Sequence, residues 1–473
     1  MANTPKTPRI NTTLEPSSAS LSRREFLKAS TLTLGSSALS GVLIPQVHAQ
    51  GSDQLRIALI GCGGRGTGAA VNAMAQEGSP KLVAMADVFQ AKLDSSFSSL
   101  SNRYAGQVDV GDRKFIGFDA YRHAMDSLRK GDIAIFTTPL AFRWVHFKYA
   151  IEKGLNVFME KPLTADGPTS LRMLELAKQA SAKNLKVGVG LMSRHSHAMQ
   201  ELQKRIQDGE IGDLNLLRGY RMQGTIGSAF SEPWPGEPKE LLWQISRFHS
   251  FLWASGGAFS DFYIHHIDHL CWIKNEWPVK CHGVGGRTSR IAPGGKPYID
   301  QNFDSYSVEY TFADGAKMYM DGRCMNGALP LYASYAHGSK GMAVVSKSGD
   351  CGRPSSIYKG QTTAKENMLW TSPDPKIPDD PYFNEWQDLT AAIRHDTPYN
   401  EVERGVMASV VTSMGRYATH TAQEVTLEEM LNHEHEYAPD ADKFTMDSPA
   451  PVRADAAGLY PVPEPGKKTK REY

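Results

Sequence analysis

The apolar positions of this chain fall into short unbroken runs separated by longer segments of mixed character. Leu55 to Ile60 is the first run, followed by Lys81 to Ala86, Ile133 to Phe136, Asn156 to Met159 and Lys186 to Gly190. A few consecutive apolar residues without polar alternation read as a strand buried on both faces. Between these runs lie helix formers at 69–75, 91–100, 121–128, 145–153 and 168–182, with Phe115 to Asp119 leading into the third of them. Strands alternating with helices over this length predict an α/β domain with a doubly wound parallel sheet over 50–190. Beyond Gly190 the pattern changes. A helix is expected over 198–207, then strands at 214–221, 279–287, 305–312, 316–321 and 341–346, with Ala313-Asp314-Gly315 as a hairpin turn. Helical patterns return at 384–394 and 403–422. The second half, 191–438, therefore reads as an α+β domain with a large, predominantly antiparallel sheet. The Pro-, Asp- and Ala-rich tail over 439–473 is expected to be poorly packed or wrapped over the surface.

The first fifty residues are a different kind of sequence. Ser22-Arg23-Arg24-Glu25-Phe26-Leu27-Lys28 precedes a modestly apolar run from Ala29 to Ile44 and then Val47-His48-Ala49. A basic region, a short apolar region and a small-residue cleavage site are the layout of an export signal, with cleavage expected after Ala49. The run is too short and too rich in Ser, Thr and Gly for a membrane span, which needs about 20 apolar residues. The arginine pair followed by Phe-Leu-Lys resembles a twin-arginine (Tat) signal, which implies the Tat machinery as a partner and a periplasmic or secreted destination.

Size and charge narrow the rest. The chain of 473 residues is long enough for two cores, and Lys+Arg 52 against Asp+Glu 51 gives no reason to expect nucleic acid or a membrane surface as partner. The five cysteines, at 62, 271, 281, 324 and 351, are odd in number and never spaced as CxxC, so neither a zinc site nor a disulfide framework is indicated.

Candidate chemistry begins where the first strand breaks into Gly61-Cys62-Gly63-Gly64-Arg65-Gly66. This turn leaves a strand and opens a helix, and a second strand then ends on Asp87, the context that gives the glycine pattern its meaning. Gly61 suits the tight turn, Gly63 the approach of a pyrophosphate, and Gly66 the closure of helix on strand, as in a Rossmann dinucleotide-binding domain. The helix start offers free N–H groups and a positive dipole end to phosphate. Asp87 can accept hydrogen bonds from the ribose hydroxyls of NAD and would repel a 2′-phosphate, whereas a guanidinium at Arg65 could ease NADP binding; NAD is the favoured cofactor. Thr137, Thr138, Pro139, Glu160 and Lys161 all lie at strand carboxyl ends, where such sheets bind their ligands.

The glycine turn, Ala86-Asp87, Thr137-Thr138-Pro139 and above all Glu160-Lys161-Pro162 resemble the Gfo/Idh/MocA family, named for glucose-fructose oxidoreductase, inositol dehydrogenase and a rhizopine-catabolism protein. The resemblance implies that Lys161 lies between nicotinamide and substrate. A partly buried amine beside a cationic ring can share or relay the proton of a reacting hydroxyl. In the second half, Ser255-Gly256-Gly257 leads into Asp261, His265, His266, Asp268 and His269. On a helix Asp261, His265 and Asp268 share a face while His266 points elsewhere. Asp261 could then orient His265 and raise its basicity.

This spacing resembles the family's catalytic helix, which implies Lys161 as hydroxyl polariser, His265 as general acid or base and Asp261 as substrate ligand and orienter. Asp268 is expected to pack or support. A metal set of Asp261, His265 and His269 is an alternative that the spacing permits, but HExxH is absent and no metal is expected. His266 and His269 read as buried, hydrogen-bonded residues. Trp243, Arg247 and Trp253 could form a sugar-binding wall, though each tryptophan alone reads as core.

The expected protein is an exported NAD(P)-dependent oxidoreductase transferring hydride between nicotinamide and a secondary hydroxyl of a sugar, sugar derivative or cyclitol. Its cofactor is expected to be tightly bound, because NAD is scarce outside the cytoplasm. The resemblance also implies an open sheet with one face in a homo-oligomer contact. The first alternative is a redox-neutral, NAD-dependent glycoside hydrolase or lyase that oxidises a ring hydroxyl transiently, eliminates and returns the hydride. The second is a nucleotide-holding sugar sensor without turnover.

Overall fold

The computed structural model describes residues 54–473 apart from 289, 293, 350–353 and 374–378. The leader, its cleavage after Ala49 and Cys351 lie outside the described residues.

The apolar runs become a six-stranded sheet: β1 (Arg56–Ile60), β2 (Lys81–Asp87), β3 (Lys114–Ile116), β4 (Ile133–Phe136), β5 (Asn156–Met159) and β6 (Val187–Val189), in the order β3-β2-β1-β4-β5-β6. Every neighbouring pair is parallel. Strands β4 and β5 are buried at every position, which explains why they carry no polar alternation. Strand order reverses between β1 and β4, so the chain leaves their carboxyl ends in opposite directions and opens a crevice between Gly61 and Thr137. The Rossmann-like sheet expected from the sequence is thus present.

The second sheet has nine strands, β7 (Leu214–Gln223), β8 (Lys280–Gly286), β9 (Ser305–Thr311), β10 (Lys317–Cys324), β11 (Leu331–Gly338), β12 (Gly341–Ser346), β13 (Ser356–Lys359), β14 (Met368–Thr371) and β15 (Val425–Thr426). Their order is β14-β13-β12-β11-β7-β10-β9-β8-β15, parallel between β7 and β10 and antiparallel elsewhere. Strand β10 alternates strictly between buried and half-buried positions, so one face is covered and the other partly open. The cover is the helix Gly257–Lys274 together with the helix Val402–Thr421, which pack against each other and both lie on this sheet. Sixteen of the eighteen residues of Gly257–Lys274 are buried, so that helix shows no amphipathic stripe.

Two features differ from expectation. The helix Pro381–Arg394, although it follows the second sheet in the chain, returns to the first. Trp386 stacks on Phe158 of β5 with ring centroids 4.4 Å apart, and Leu389 and Ile393 join the core formed by Ile57, Leu59, Ile133 and Ile135.

The tail also does more than lie on the surface. Glu472 is buried, with Arg416 Nε 2.9 Å from its Oε1 and Arg416 Nη2 3.1 Å from its Oε2, while Tyr437 donates to the same carboxylate. Burial pushes the Glu472 carboxyl up, but the charges of Arg416 and His420 outweigh it and hold it well below the usual carboxylate range. A polar tail composition gives no sign that one of its acids meets a buried arginine; the pairing is a tertiary event.

Arg416 is also a brace. Its Nη1 donates to Ser260 Oγ at 2.8 Å and to the Gly256 carbonyl at 3.2 Å, and its Nη2 donates to the Ala165 carbonyl at 2.9 Å. Removing one partner of a buried pair leaves an uncompensated charge. Glu472→Ala is therefore expected to cost about 3–5 kcal/mol in urea unfolding; a loss under about 1 kcal/mol would show that the pair is not a stabilising clasp.

Candidate active site

The glycine turn does what its spacing requires. The helix Gly64–Met74 starts directly after it, with Gly63 at its cap and no side chain bonded to its first amides. A Cβ on Gly66 would collide with the Gly61 carbonyl oxygen and with Thr137 Oγ1, so the helix can close on the strand only because Gly66 has none. A Cβ on Gly63, in contrast, would meet nothing within 4 Å, since that position faces open space. Thr137 Oγ1 donates to the Gly61 carbonyl at 2.5 Å and ties β4 to the turn. Asp87, at the end of β2, accepts from Cys62 N at 2.6 Å and Phe89 N at 2.9 Å, which fixes the carboxylate at the rim of the crevice.

A cavity of about 740 Å³ follows, lined by Gly61 to Thr67, Asp87, Phe118, Tyr121, Thr137 to Pro139 and His146. Burial, helped by the charges of Arg143 and Arg122, lowers His146 to about 3, so its ring is neutral beside Thr138 Oγ1 at 3.3 Å. The open space at Gly63, the uncapped helix start and the carboxylate at β2 suit a dinucleotide.

Thr137, Thr138 and Pro139 are shared with a second cavity of about 440 Å³. Lys161, Asp261 and His265 all line it, with Glu160, Arg143, Arg221, Phe248, His249, Phe262 and Tyr382. Lys161 Nζ donates to the Asp261 carbonyl oxygen at 2.6 Å and lies 3.4 Å from its Oδ1. His249 Nε2 is 3.2 Å from Asp261 Oδ2. Burial alone would raise the Asp261 carboxyl, but Lys161 and His249 hold it well below the usual range, as the anion.

His265 is different. Burial, then the charges of Lys161 and Arg221, push its imidazole well below its ordinary value, and its Nδ1 is buried with no hydrogen-bond partner among the described residues. The expectation that Asp261 orients His265 is corrected here. Four-residue spacing does place both on one helix face, but the carboxylate turns to Lys161 and His249, which offer it charge.

Asp268 accepts both forks of Arg194, at 2.7 Å and 3.0 Å, and lies away from the cavity as a packing residue. His269 Nε2 is 2.8 Å from Ser334 Oγ, and His266 packs against Tyr332 at 4.8 Å between ring centroids. Among the described residues no three such side chains are placed to hold a metal ion. The tryptophan wall is also corrected. Trp253 is buried and donates to Gln244 Oε1 at 2.7 Å, and Trp243 packs on Phe251 and Tyr460. The aromatic lining is instead Phe248, Phe262 and Tyr382.

Arg65 is engaged by two carboxylates and a tyrosine ring. Its Nε is 2.5 Å from Glu160 Oε1, its Nη2 3.2 Å from Glu385 Oε1, and its guanidinium lies over Tyr382 at 4.6 Å. It therefore joins the glycine turn to the residue before Lys161. Burial raises the Glu385 carboxyl well above its ordinary value despite Arg65. Behind this pair, His195 Nδ1 is 2.6 Å from Asp388 Oδ2 and its Nε2 3.4 Å from Glu401 Oε1. Arg143, Arg221, His249 and Glu385 were not singled out from the sequence. Each is a single polar residue in a stretch without a motif, and only the fold brings it to the site.

No family model matches the chain. It is 32% identical over 101 residues, 21% of its length and 29% of the relative's, to an inositol 2-dehydrogenase of Corynebacterium glutamicum. It is 32% identical over 142 residues, 29% of its length and 33% of the relative's, to a scyllo-inositol 2-dehydrogenase (NAD(+)) of Bacillus subtilis. The chain thus spans about a third of the length of these curated relatives. Among solved structures, the fold resembles a scyllo-inositol dehydrogenase of Lactobacillus casei with bound NAD(H) and scyllo-inositol, with a TM-score of 0.57 and 19% identity over 80% of this chain and 100% of the other. It also resembles an aldose-aldose oxidoreductase of Caulobacter crescentus complexed with glycerol, with a TM-score of 0.58 and 17% identity over 79% of this chain and 99% of the other.

The support behind the site is sensitive to pH. Burial opposes protonation of His195, yet Asp388 and Glu401 raise it to about 9. A histidine raised in the folded state contributes stability below its unfolded value near 6.5 and loses it as the pH rises through the folded value. The stability difference between the wild type and His195→Asn, measured by urea midpoints, should be about 2–3 kcal/mol at pH 6 and shrink towards pH 10. A constant difference would exclude this ion pairing as its source.

Proposed function

We propose that the chain belongs to the Gfo/Idh/MocA oxidoreductases and is an NAD-dependent enzyme acting on a secondary hydroxyl of a sugar, sugar derivative or cyclitol. The observation that carries the reading is the convergence of Lys161, Asp261 and His265 on one cavity that opens onto the crevice of a Rossmann-like sheet. The relatives, inositol dehydrogenases among them, support the same substrate class. Gly61, Gly63, Gly64 and Gly66 would cradle the pyrophosphate, Asp87 the adenosine ribose, and Thr137 to Pro139 the approach to the nicotinamide. When bound, that ring supplies the hydride acceptor or donor at its C4.

The protein groups divide the rest of the work. The neutral imidazole of His265 has a lone pair for the hydroxyl proton at neutral pH. Lys161 Nζ donates to the reacting oxygen and stabilises charge on it, while Asp261, kept anionic, holds Lys161 in place and can accept from a neighbouring hydroxyl. Arg65 holds Glu160, and with it the segment that carries Lys161.

We further propose that the twin-arginine leader exports the protein after it has folded around a tightly held NAD. The half-open face of the second sheet, where Val284 is 71% exposed and Leu369 58%, is proposed as a subunit contact. Arg23→Lys together with Arg24→Lys should retain the protein in the cytoplasm on fractionation, and unchanged export would remove the Tat assignment. Sedimentation as a monomer at micromolar concentration would remove the subunit contact.

The reaction is tested by identifying the bound nucleotide by mass spectrometry and by screening free sugars, cyclitols and nitrophenyl glycosides with NAD. Formation of NADH is expected. Aglycone release without net NADH would replace the reading with the redox-neutral one, and sugar binding with neither would leave a sensor. Lys161→Ala is expected to keep its nucleotide and lose about 10²–10⁴-fold in turnover; unchanged turnover would falsify the role given to the lysine.

A further inference from the structure

The cavity beside the crevice carries more positive than negative charge. Among the described residues its lining includes Arg65, Arg143, Lys161 and Arg221 against two carboxylates, Glu160 and Asp261. Most of these charges have partners. Glu160 is held by Arg65, and Asp261 by Lys161 and His249. Arg221, from β7, donates to the Phe262 carbonyl at 3.1 Å and to Tyr332 Oη at 2.5 Å.

Arg143 stands apart. It is 2% exposed, it donates from Nη1 to the Phe136 carbonyl oxygen at 2.8 Å, and its Nε is buried without a hydrogen-bond partner among the described residues. It forms no ion pair among the described residues, and the carboxylates that act on it electrostatically, Glu160 and Asp261, are already engaged. Its place in the chain adds to the cost. Arg143 is the first residue of the helix Arg143–Lys153, at the positive end of the helix dipole, where a cation is disfavoured. Burial lowers the guanidinium to about 10, so it is still charged at neutral pH. A buried charge without a counter-ion destabilises the fold. A compensating anion that arrives with the ligand accounts for it.

Resting on the oxidoreductase reading above, we propose that the substrate is an anionic sugar, one that carries a carboxylate or phosphate, and that Arg143 is the residue that recognises this group. A planar guanidinium with free donors suits bidentate pairing with either anion. A neutral polyol would leave the cation unpaired in the cavity, so the preference is built against neutral sugars as well as towards acidic ones.

The experiment uses the full chain with NADH bound and needs no turnover. Calorimetry compares D-glucuronate with D-glucose, D-galacturonate with D-galactose, and glucose 6-phosphate with glucose. At least one anionic member should bind 10-fold or more tightly than its neutral counterpart, and which pair shows it separates carboxylate from phosphate. The same pairs are then compared by kcat/KM in Arg143→Gln and Arg143→Lys. The anionic-to-neutral ratio should fall about 10- to 100-fold in the first variant and recover in part in the second, a pattern that general unfolding would not give. Equal or tighter binding of the neutral partners overturns the anionic preference while leaving the dehydrogenase intact if those sugars yield NADH. A ratio unchanged in Arg143→Gln overturns the assignment to Arg143. Failure of every sugar to bind overturns the proposal, and the nucleotide identification with Lys161→Ala then judges the oxidoreductase reading separately.

Discussion

The contact between Lys161 Nζ and Asp261 is the point at which the two sheets of the molecule meet chemically. Lys161 follows β5 of the parallel sheet, and Asp261 sits near the start of the helix that covers the antiparallel one. Both side chains are largely removed from water, so each needs the other, and the contact holds the segment after β5 against this helix at hydrogen-bond length. Arg416 repeats this constraint one layer deeper. By donating to Ala165, four residues after Lys161, and to Gly256 and Ser260, just before Asp261, it ties the backbone on both sides of the contact. Glu472 neutralises Arg416 in turn. The two halves of the site are thus held by two cations, the half-buried Lys161 and the buried Arg416, each reaching across to the other half.

The surroundings push the ionisable groups of the cavity apart. Asp261 is held as the anion by adjacent positive charge, while His265, four residues on, is kept neutral by burial and by some of the same charge. Neighbouring groups driven in opposite senses can serve as fixed charge and proton acceptor at one pH. Equally spaced residues on a helix do not differ in this way by themselves. The difference comes from burial, which disfavours the charged imidazole, and from Lys161 and His249, which approach from other elements and favour the carboxylate.

Much of the first half was legible in the chain. Its strands are buried on both faces and so are written as unbroken apolar runs, and the glycine turn is placed by the strand before it and the acid at the end of the strand after it. The nucleotide crevice could be located from these alone. The second half was harder to read. Strand β11, with Tyr332-Ala333-Ser334-Tyr335-Ala336-His337, mixes small and polar residues, and β13 and β14 are four-residue strands towards the sheet edge, so none gives a clear period. The helix Gly257–Lys274 announced its chemistry through its acid and histidines, but not their partners. That His249 rather than His265 would take the second oxygen of Asp261, or that Arg143 would stand in the cavity without a counter-ion among the described residues, depends on contacts between elements far apart in sequence.

The return of the helix Pro381–Arg394 to the first sheet has a consequence for how this protein can be divided. Trp386, Leu389 and Ile393 cover one face of the parallel sheet, and Glu385 on the same helix holds Arg65 of the glycine turn. A fragment cut after β6 would keep every motif by which a nucleotide-binding domain is recognised, yet expose Phe158 and its neighbours to water and leave the turn without its anchor. The cofactor half is a unit of shape but not of sequence, and its evolutionary shuffling as a single cassette would have to carry this distant helix along.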